Sequence, residues 1–126
     1  MKLYKEHDEG SLEQLQAVRN VLLAARTCLK TGGWTQHWFA TERGEHCLLG
    51  AIQIGSDAPS RITQIAHCVV RDALPKRWRG SKYTTPIAAY NDDPATTKQG
   101  VICVLGRAIR SVEAQIAAKE YIRETD

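Results

Sequence analysis

The residues best suited to chemistry in this chain concentrate in one stretch, LPKRWRGSKY, at positions 74 to 83. Four cations and two aromatic rings stand there within ten positions: Lys76, Arg77, Arg79, Lys82, Trp78 and Tyr83. Guanidinium forks bind phosphate oxygens, and aromatic rings stack on flat bases, so this composition is typical of sites for phosphate-bearing ligands. It also suits a solvated loop that two rings anchor to the core. We call residues 76–83 the basic loop.

Two binding hypotheses follow from the basic loop. In the preferred one, it binds a compact anion such as a nucleotide, with aromatic and amide side chains from two other segments. The predicted ligand-binding residues are Arg77, Trp78, Arg79, Lys82, Tyr83, Trp34, Gln36 and Asn91. In the alternative, the basic loop contacts nucleic acid or a host protein, although four cations on a chain of net charge +3 make a small footprint for nucleic acid.

A second candidate for chemistry is Cys47, which follows His46 at the predicted N-terminus of a helix. A helix N-terminus lowers a thiol pKa, and His67 with Asn91 or Asp92 can complete a Cys–His–Asx arrangement in space. The surrounding CLLGA carries no nucleophile signature and is apolar, so a small buried core thiol is the preferred interpretation. A Cys47-dependent hydrolase is therefore the second alternative, and we favour a non-enzyme.

Metal and cofactor motifs do not occur in the sequence. The His–Cys pairs at 46–47 and 67–68 are adjacent residues, whose side chains diverge on a helix and rarely ligate one ion together. There is no CxxC or HxxxH spacing, and no glycine-rich phosphate loop. Asp92 and Asp93 precede Pro94, an order that favours a helix cap at Asp93 over paired acid–base carboxylates. We expect no metal and no cofactor.

The composition is that of one ordinary globular domain. The 126 residues are 43% hydrophobic and 25% charged, which is enough to bury a single moderate core. No apolar run approaches the roughly 20 residues of a membrane span. Charged residues stand near the N-terminus where an export signal would be apolar, so a cytoplasmic location is expected. The four cysteines are then expected to stay reduced.

The first half of the chain predicts a long helix followed by an excursion. SLEQ at 11–14 reads as a capping box, and apolar residues then recur at helical spacing to about Lys30. The glycine pair at 32–33 provides a left-handed stop. Residues 34–45 hold three aromatics and a turn-prone ERGE, which predicts either a hairpin-like excursion or an irregular loop.

The second half predicts four further helices. Residues 47–55 favour a short buried helix by their Leu, Ala and Gly content. A third helix, capped by Ser60, ends before Pro75, because the residue preceding proline is biased away from helical geometry. Thr85 before a proline begins a short fourth helix, and residues 101–116 carry the apolar stripe of a long last one.

Three stretches of the chain carry a resemblance: GWTQ at 33–36, CLLGAI at 47–52 and IAAYNDDPATTKQGVICVLGRAI at 87–109. In this order and spacing they resemble a family of small uncharacterised helical proteins of actinobacteria and their phages, over residues 14 to 112. The resemblance implies an all-helical single domain and brings no known catalytic residue. The chain departs from the family pattern at Tyr90, where Trp is common, and at Gly100, where a capping box lacks its Glu.

These observations predict a single compact all-α domain of four to five helices, with the first, third and last helices forming the core. Residues 1–10 are expected to be flexible. Residues 117–126 are expected to extend the last helix past the core, so that Ile116, Ala117 and Ile122 can pack against a second copy in a homodimer. We expect a non-enzymatic module that binds a small ligand or a host protein. The phage resemblance gives it a specific form, a counter-defence protein that sequesters a nucleotide-derived signal.

Overall fold

Helices account for the regular secondary structure of this chain in a computed structural model, which describes residues 10–56, 60–79, 82–83 and 85–125. The helices are α1 (Leu12–Gly32), α2 (Leu48–Gly55), α3 (Ser60–Ala73), α4 (Pro86–Asp92) and α5 (Lys98–Thr125), with a 3₁₀ turn at Lys76–Trp78 after α3. The described residues form no strand, so the predicted all-α class is confirmed. The flexible segment predicted for residues 1–10 falls, apart from Gly10, on residues that lie outside the described ones.

Helix α1 begins and ends at the signals that predicted it. The Ser11 hydroxyl accepts a hydrogen bond from the Gln14 amide at 3.0 Å, and the Gln14 side chain accepts one from the Ser11 amide at 2.9 Å. The predicted capping box is therefore confirmed. The helix ends at Gly32, two residues later than predicted, because Gly33 adopts a φ of +99°, a conformation that residues with a side chain rarely adopt.

The middle helices confirm the predicted elements and correct two of their caps. Helix α2 forms where a short buried helix was predicted, and α3 ends at Ala73, ahead of Pro75. However, α3 already includes Ser60, so the predicted cap is its first helical residue. Thr85 stands directly before Pro86 at the start of α4, but its side chain makes no capping hydrogen bond to that helix.

The predicted cap of α5, Asp93, was wrong. Asp93 ends α4, and its carboxylate accepts a hydrogen bond from the Ala95 amide at 3.0 Å, which stabilises a turn between the two helices. Helix α5 begins only at Lys98, after Thr97, whose hydroxyl accepts from the Gly100 amide at 3.1 Å. Thr97 thus supplies one half of a capping box, and the acidic half is missing because Gly100 stands at its position.

The core also differs in one element from the prediction. Helix α1 packs against α5 and α2, and α3 packs against α1 and α5. The predicted core of first, third and last helices thus gains α2, because this short helix is apolar along nearly its whole length and buries several of its residues. The largest fully buried side chains include Leu15, Leu22, Leu29, Leu48, Ile52, Ile65, Leu74 and Leu105.

The end of α5 separates residues that belong to the core from residues that do not. Val112 and Ile116 are buried, so Ile116 packs within its own chain and cannot serve the predicted contact with a second copy. Tyr121 and Ile122 are exposed, and the homodimer remains a prediction that rests on this outer part of the helix. Neither α5 nor any other helix in the described part of the chain has the apolar length that crossing a membrane requires.

The excursion between α1 and α2 is an irregular loop that folds back on itself. Trp34 and Ala40 each form an isolated β-bridge with His46, so the loop resembles a hairpin only at these single bridges. The loop lies directly against α2: the Phe39 carbonyl accepts a hydrogen bond from the first amide before the helix at 3.1 Å. Gly50 permits this approach, because a Cβ atom there would collide with the Phe39 carbonyl.

Candidate functional site

The basic loop is anchored by its own aromatic residues. Trp78 is buried, its ring centroid lies 5.0 Å from that of Tyr83, and Tyr90 meets it edge-on at 6.1 Å. The Arg77 guanidinium lies 4.7 Å from the centroid of Trp78, while Arg77 and Arg79 are exposed. Trp78 thus points inward, and both arginines lie at the surface. Trp78 is thereby committed to packing, which leaves it little surface for stacking on a ligand.

Three other predicted ligand residues are brought together, but they bind one another. Asn91 is 1% exposed, and its side-chain oxygen accepts hydrogen bonds from Trp34 Nε1 at 2.6 Å and from the Leu48 amide at 3.0 Å. Its amide nitrogen donates to the Thr35 carbonyl at 3.1 Å and to the Asp92 carboxylate at 3.0 Å. Each donor and acceptor of this amide is used, so Asn91 is a structural hub with no bond left for a ligand.

Gln36 completes this hub from the loop side. Its side-chain amide donates to the main-chain carbonyls of Asn91 at 3.0 Å and Asp93 at 2.8 Å. Trp34, Gln36 and Asn91 therefore clamp the loop after α1 onto α4. The structure connects this clamp to the basic loop through α4, where Tyr90, the neighbour of Asn91, contacts Trp78.

The clamp fixes two exposed aromatic residues at the surface. His37 has a φ of +74°, an uncommon value for a residue with a side chain, and its amide donates to Asp92 Oδ1 at 2.8 Å. The His37 ring nitrogen Nδ1 lies 3.8 Å from the other Asp92 oxygen. The two residues that follow, Trp38 and Phe39, are 67% and 63% exposed. Exposed aromatic side chains on a backbone that hydrogen bonds keep in place are a common property of binding surfaces.

A cleft opens beside Phe39, between α2, α3 and the start of α4. Its volume is about 370 Å³. It is lined by Phe39, Leu49, Gln53, His67, Cys68, Arg71, Thr85, Pro86 and Ile87. The volume lies within the roughly 300 to 1,000 Å³ of small-molecule sites, and the combination of apolar walls with a few polar groups is also typical of them.

Two residues of α3 supply the polar chemistry of this cleft. His67 and Arg71 are four positions apart, so they lie on one face of the helix. Nε2 of His67 is buried and has no hydrogen-bond partner among the described residues, and burial lowers the pKa of this imidazole, which favours its neutral form at pH 7. Arg71 is half-buried and its Nε lies 3.4 Å from Asp72. The cleft is therefore lined by one neutral imidazole, whose Nε2 is itself buried, and by one guanidinium.

Sequence reasoning had missed most of this cleft. His67 was considered as a partner of Cys47 and, with Cys68, as a metal ligand, whereas Arg71 and Phe39 were not considered as site residues. The i, i+4 spacing of His67 and Arg71 was the available signal. Such a spacing does not indicate whether a helix face meets solvent, core or a cleft.

Cys47 lies in a smaller hollow of about 130 Å³, next to the cleft. This hollow is lined by His37, Trp38, Phe39, Cys47, Leu49, Ala88, Asn91 and Asp92. The predicted partners Asn91 and Asp92 are present, whereas His67 belongs to the cleft and His37 takes its place. The thiol is buried, it accepts a hydrogen bond from the Gly50 amide at 3.2 Å, and burial raises the pKa of Cys47. At neutral pH the thiol is thus protonated and caps α2.

Another hollow, of about 360 Å³, is also lined by Phe39. It is lined by Phe39, Ala40, His46, Gly50, Gln53 and Ile54. Nδ1 of His46 lies 3.4 Å from the Cys28 thiol, which fixes the orientation of the imidazole. No group of three His, Cys, Asp or Glu side chains within the described ranges is arranged to hold a metal ion.

One residue of the basic loop lines a separate hollow. Arg79 and Arg107 face a space of about 230 Å³ near the end of α3, together with Asp72. Arg107 Nε donates to the Ala73 carbonyl at 3.0 Å. The C-terminus of a helix carries partial negative charge, so both guanidiniums complement α3 here. Because the Asp72 carboxylate also lines this hollow, the hollow is less suited to an anion than the two arginines alone would make it.

Comparison with known proteins identifies one family. A family of unknown function, DUF6197, matches residues 13–111. The matched range agrees with residues 14 to 112, over which the sequence resembles a family of small helical proteins. The match adds no catalytic or binding residue. No curated protein and no solved structure matches the chain.

Proposed function

We propose that this chain, which belongs to the DUF6197 family of unknown function, is a non-enzymatic binding module that captures a small ring-containing anion. The observation that carries the proposal is the cleft beside Phe39, whose apolar walls include two polar side chains of α3, His67 and Arg71. Burial lowers the pKa of His67, so the neutral imidazole adds no second charge beside the Arg71 guanidinium.

The side chains around the cleft indicate the class of ligand. Arg71 can form charge-assisted hydrogen bonds with a phosphate or carboxylate, since its guanidinium has donors beyond the Nε that faces Asp72. Phe39, largely exposed at the edge of the cleft, offers its ring to a flat group. A ring with an attached anionic group, as in a nucleotide, fits both contacts. This is the ligand class that the basic loop suggested, placed at a different site.

The resemblance to proteins of actinobacterial phages gives the proposal a biological form. A protein that binds a nucleotide-derived signal without converting it lowers the free concentration of that signal. We propose such sequestration, in counter-defence, as the role of the module. It acts in the cytoplasm, where its ligand is made.

Calorimetric titration with mono-, di- and cyclic nucleotides tests this proposal. We expect Arg71→Ala to weaken binding by about 1.5 to 3 kcal/mol, the range for a hydrogen bond to a charged group. Phe39→Ala should also weaken it, while thermal melts stay close to the parent because both side chains are accessible. Arg110→Ala, which removes an exposed arginine on α5, is the matched control and should bind normally. Absence of binding by any nucleotide, or full affinity of Arg71→Ala, contradicts the proposal.

The exposure of the basic loop supports an alternative function, contact with nucleic acid. Arg77 and Arg79 point outward, and Lys82 is exposed with its Nζ 5.3 Å from the ring centroid of Tyr83. If these cations neutralise phosphates, Arg77→Ala and Arg79→Ala should each reduce the salt dependence of DNA binding by about one counterion. Fluorescence anisotropy with a labelled oligonucleotide measures this. DNA binding that survives Arg71→Ala but is lost in the loop variants favours this alternative.

A thiol hydrolase is the second alternative, and the observation that favours it is that Cys47, His37 and Asp92 line one hollow. A nucleophilic thiol at neutral pH needs a lowered pKa, and burial acts in the opposite direction here. We therefore expect slow alkylation of Cys47 in the native protein. The exposed Cys103 provides an internal reference thiol, and its labelling by iodoacetamide should be faster. Preferential labelling of Cys47, slowed by His37→Ala, supports the hydrolase.

A further inference from the structure

Phe39 lines two hollows of nearly equal size. The cleft of the proposed function measures about 370 Å³, and the second hollow about 360 Å³. Gln53 also lines both. The two volumes therefore adjoin, each is large enough for one ring-sized group, and they share an aromatic and an amide side chain.

The two hollows offer similar chemistry. Each contains one imidazole, His67 in the cleft and His46 in the second hollow, and each has aliphatic surface, from Leu49 and Ile54 respectively. His46 is oriented through its Nδ1 by a cysteine thiol. A flat heterocycle suits either hollow, because an aromatic side chain, an aliphatic surface and an imidazole line both.

The residue that both hollows share has a fixed backbone. The Phe39 carbonyl accepts a hydrogen bond from the Cys47 amide at 3.1 Å, and the close approach of this carbonyl to Gly50 leaves no room for a shift toward α2. On the preceding side, the His37 amide donates to Asp92 at 2.8 Å. The backbone beside both hollows is thus preorganised, which reduces the entropy lost on binding.

We infer that the ligand is bipartite, with two ring-sized groups that occupy the two hollows beside Phe39 and a short linker that passes Gln53, which lines both hollows. This inference rests on the proposed function and specifies its ligand class. A ligand with one ring fills one hollow and leaves the other hydrated. Joining two rings makes the second contact intramolecular, so its effective concentration is high and the overall affinity rises.

Two probes of equal charge test the number of rings. Adenylyl-3′,5′-adenosine has two adenines and one phosphodiester, whereas the methyl ester of adenosine monophosphate has one adenine and the same single charge. We expect the two-ring probe to bind at least about tenfold more tightly in calorimetric titration. Equal affinities overturn the bipartite ligand and leave the cleft as a one-ring site. If neither probe binds, both the inference and the nucleotide form of the proposed function are overturned.

Variants that fill one hollow at a time locate the second ring. Ala40→Trp fills the second hollow from an exposed position, and it should abolish the advantage of the two-ring probe without changing the affinity of the one-ring probe. Thr85→Trp fills the cleft and should weaken both probes. Ile54→Glu, also at an exposed position, provides a second variant that repels the anionic linker and should reproduce the effect of Ala40→Trp. If the two-ring advantage persists in folded Ala40→Trp or Ile54→Glu, the second ring lies elsewhere and the inference is wrong.

Discussion

Replacing Asn91 by alanine should destabilise the whole protein, because this side chain joins the loop after α1 to two helices. The change removes the acceptor of the Trp34 indole and of the Leu48 amide, which are bound at 2.6 Å and 3.0 Å. It also removes the donor that satisfies the Thr35 carbonyl at 3.1 Å. The Leu48 amide belongs to the first turn of α2, where helix geometry provides no internal partner.

The magnitude follows from the burial of these groups. Asn91 is 1% exposed and Leu48 is fully buried, so water reaches the abandoned amide poorly. Each buried group without a partner costs about 1 to 3 kcal/mol, and the Leu48 amide and Trp34 indole together give an expected loss of about 2 to 6 kcal/mol in unfolding free energy. That is a large share of the roughly 5 to 15 kcal/mol that stabilises a domain.

Urea denaturation followed by circular dichroism measures this loss, with Asn20→Ala as the matched control. Asn20 is exposed on α1, so its replacement should be neutral or slightly stabilising through helix propensity. Hydrogen exchange should also accelerate at residues 34–47 in the Asn91→Ala variant, because its loop is released. A loss below about 1 kcal/mol, or unchanged exchange in the loop, refutes the assignment of Asn91 as the hub.

Asn91→Asp keeps the hydrogen-bond acceptors of the side chain and removes its donors. A carboxylate still accepts from Trp34 and Leu48, but it opposes the Thr35 carbonyl and the Asp92 carboxylate, to which the amide nitrogen donated. Burial and like charge both raise the pKa of the new carboxyl in the folded state. The variant should therefore lose stability as pH rises above the unfolded-state value of about 3.9 and recover it on acidification, relative to the parent chain.

Three further predictions concern other parts of the molecule. Gly50→Ala should lower the unfolding free energy by about 1 to 3 kcal/mol despite the better helix propensity of alanine, because the new methyl group meets the Phe39 carbonyl; urea melts check this. Burial lowers the pKa of His67 in the folded state, so below pH 6.5, its ordinary pKa, the unfolded state binds more protons than the folded state. The unfolding free energy should therefore fall as pH drops below 6.5, by up to about 1.4 kcal/mol per pH unit. A His67→Gln variant should lack this part of the pH dependence. Tyr121→Ser combined with Ile122→Ser should weaken self-association in sedimentation experiments, and a monomeric parent chain at high concentration contradicts the predicted homodimer.

The helices were predictable because their signals are local. The Ser11 and Gln14 side chains satisfy each other's backbone amides within one turn, and the glycine at 33 supplies the positive φ that ends the helix. The apolar stripe of α5 likewise records one face of a single helix. Asp93 was misassigned because an aspartate that caps a helix and one that stabilises a turn accept the same kind of local hydrogen bond.

The sequence by itself therefore determined the helical class and the approximate helix bounds. Only the tertiary structure decided the site, because its contacts join residues far apart in the chain. Asn91 binds Trp34 across 57 positions, and it turns three predicted ligand residues into a structural clamp. The cleft depends on how closely the Phe39 loop approaches α2, and that distance is set by a missing side chain at Gly50. Spacing along a helix places His67 and Arg71 on one face, but packing between helices determines whether that face is buried, solvated or open to a ligand.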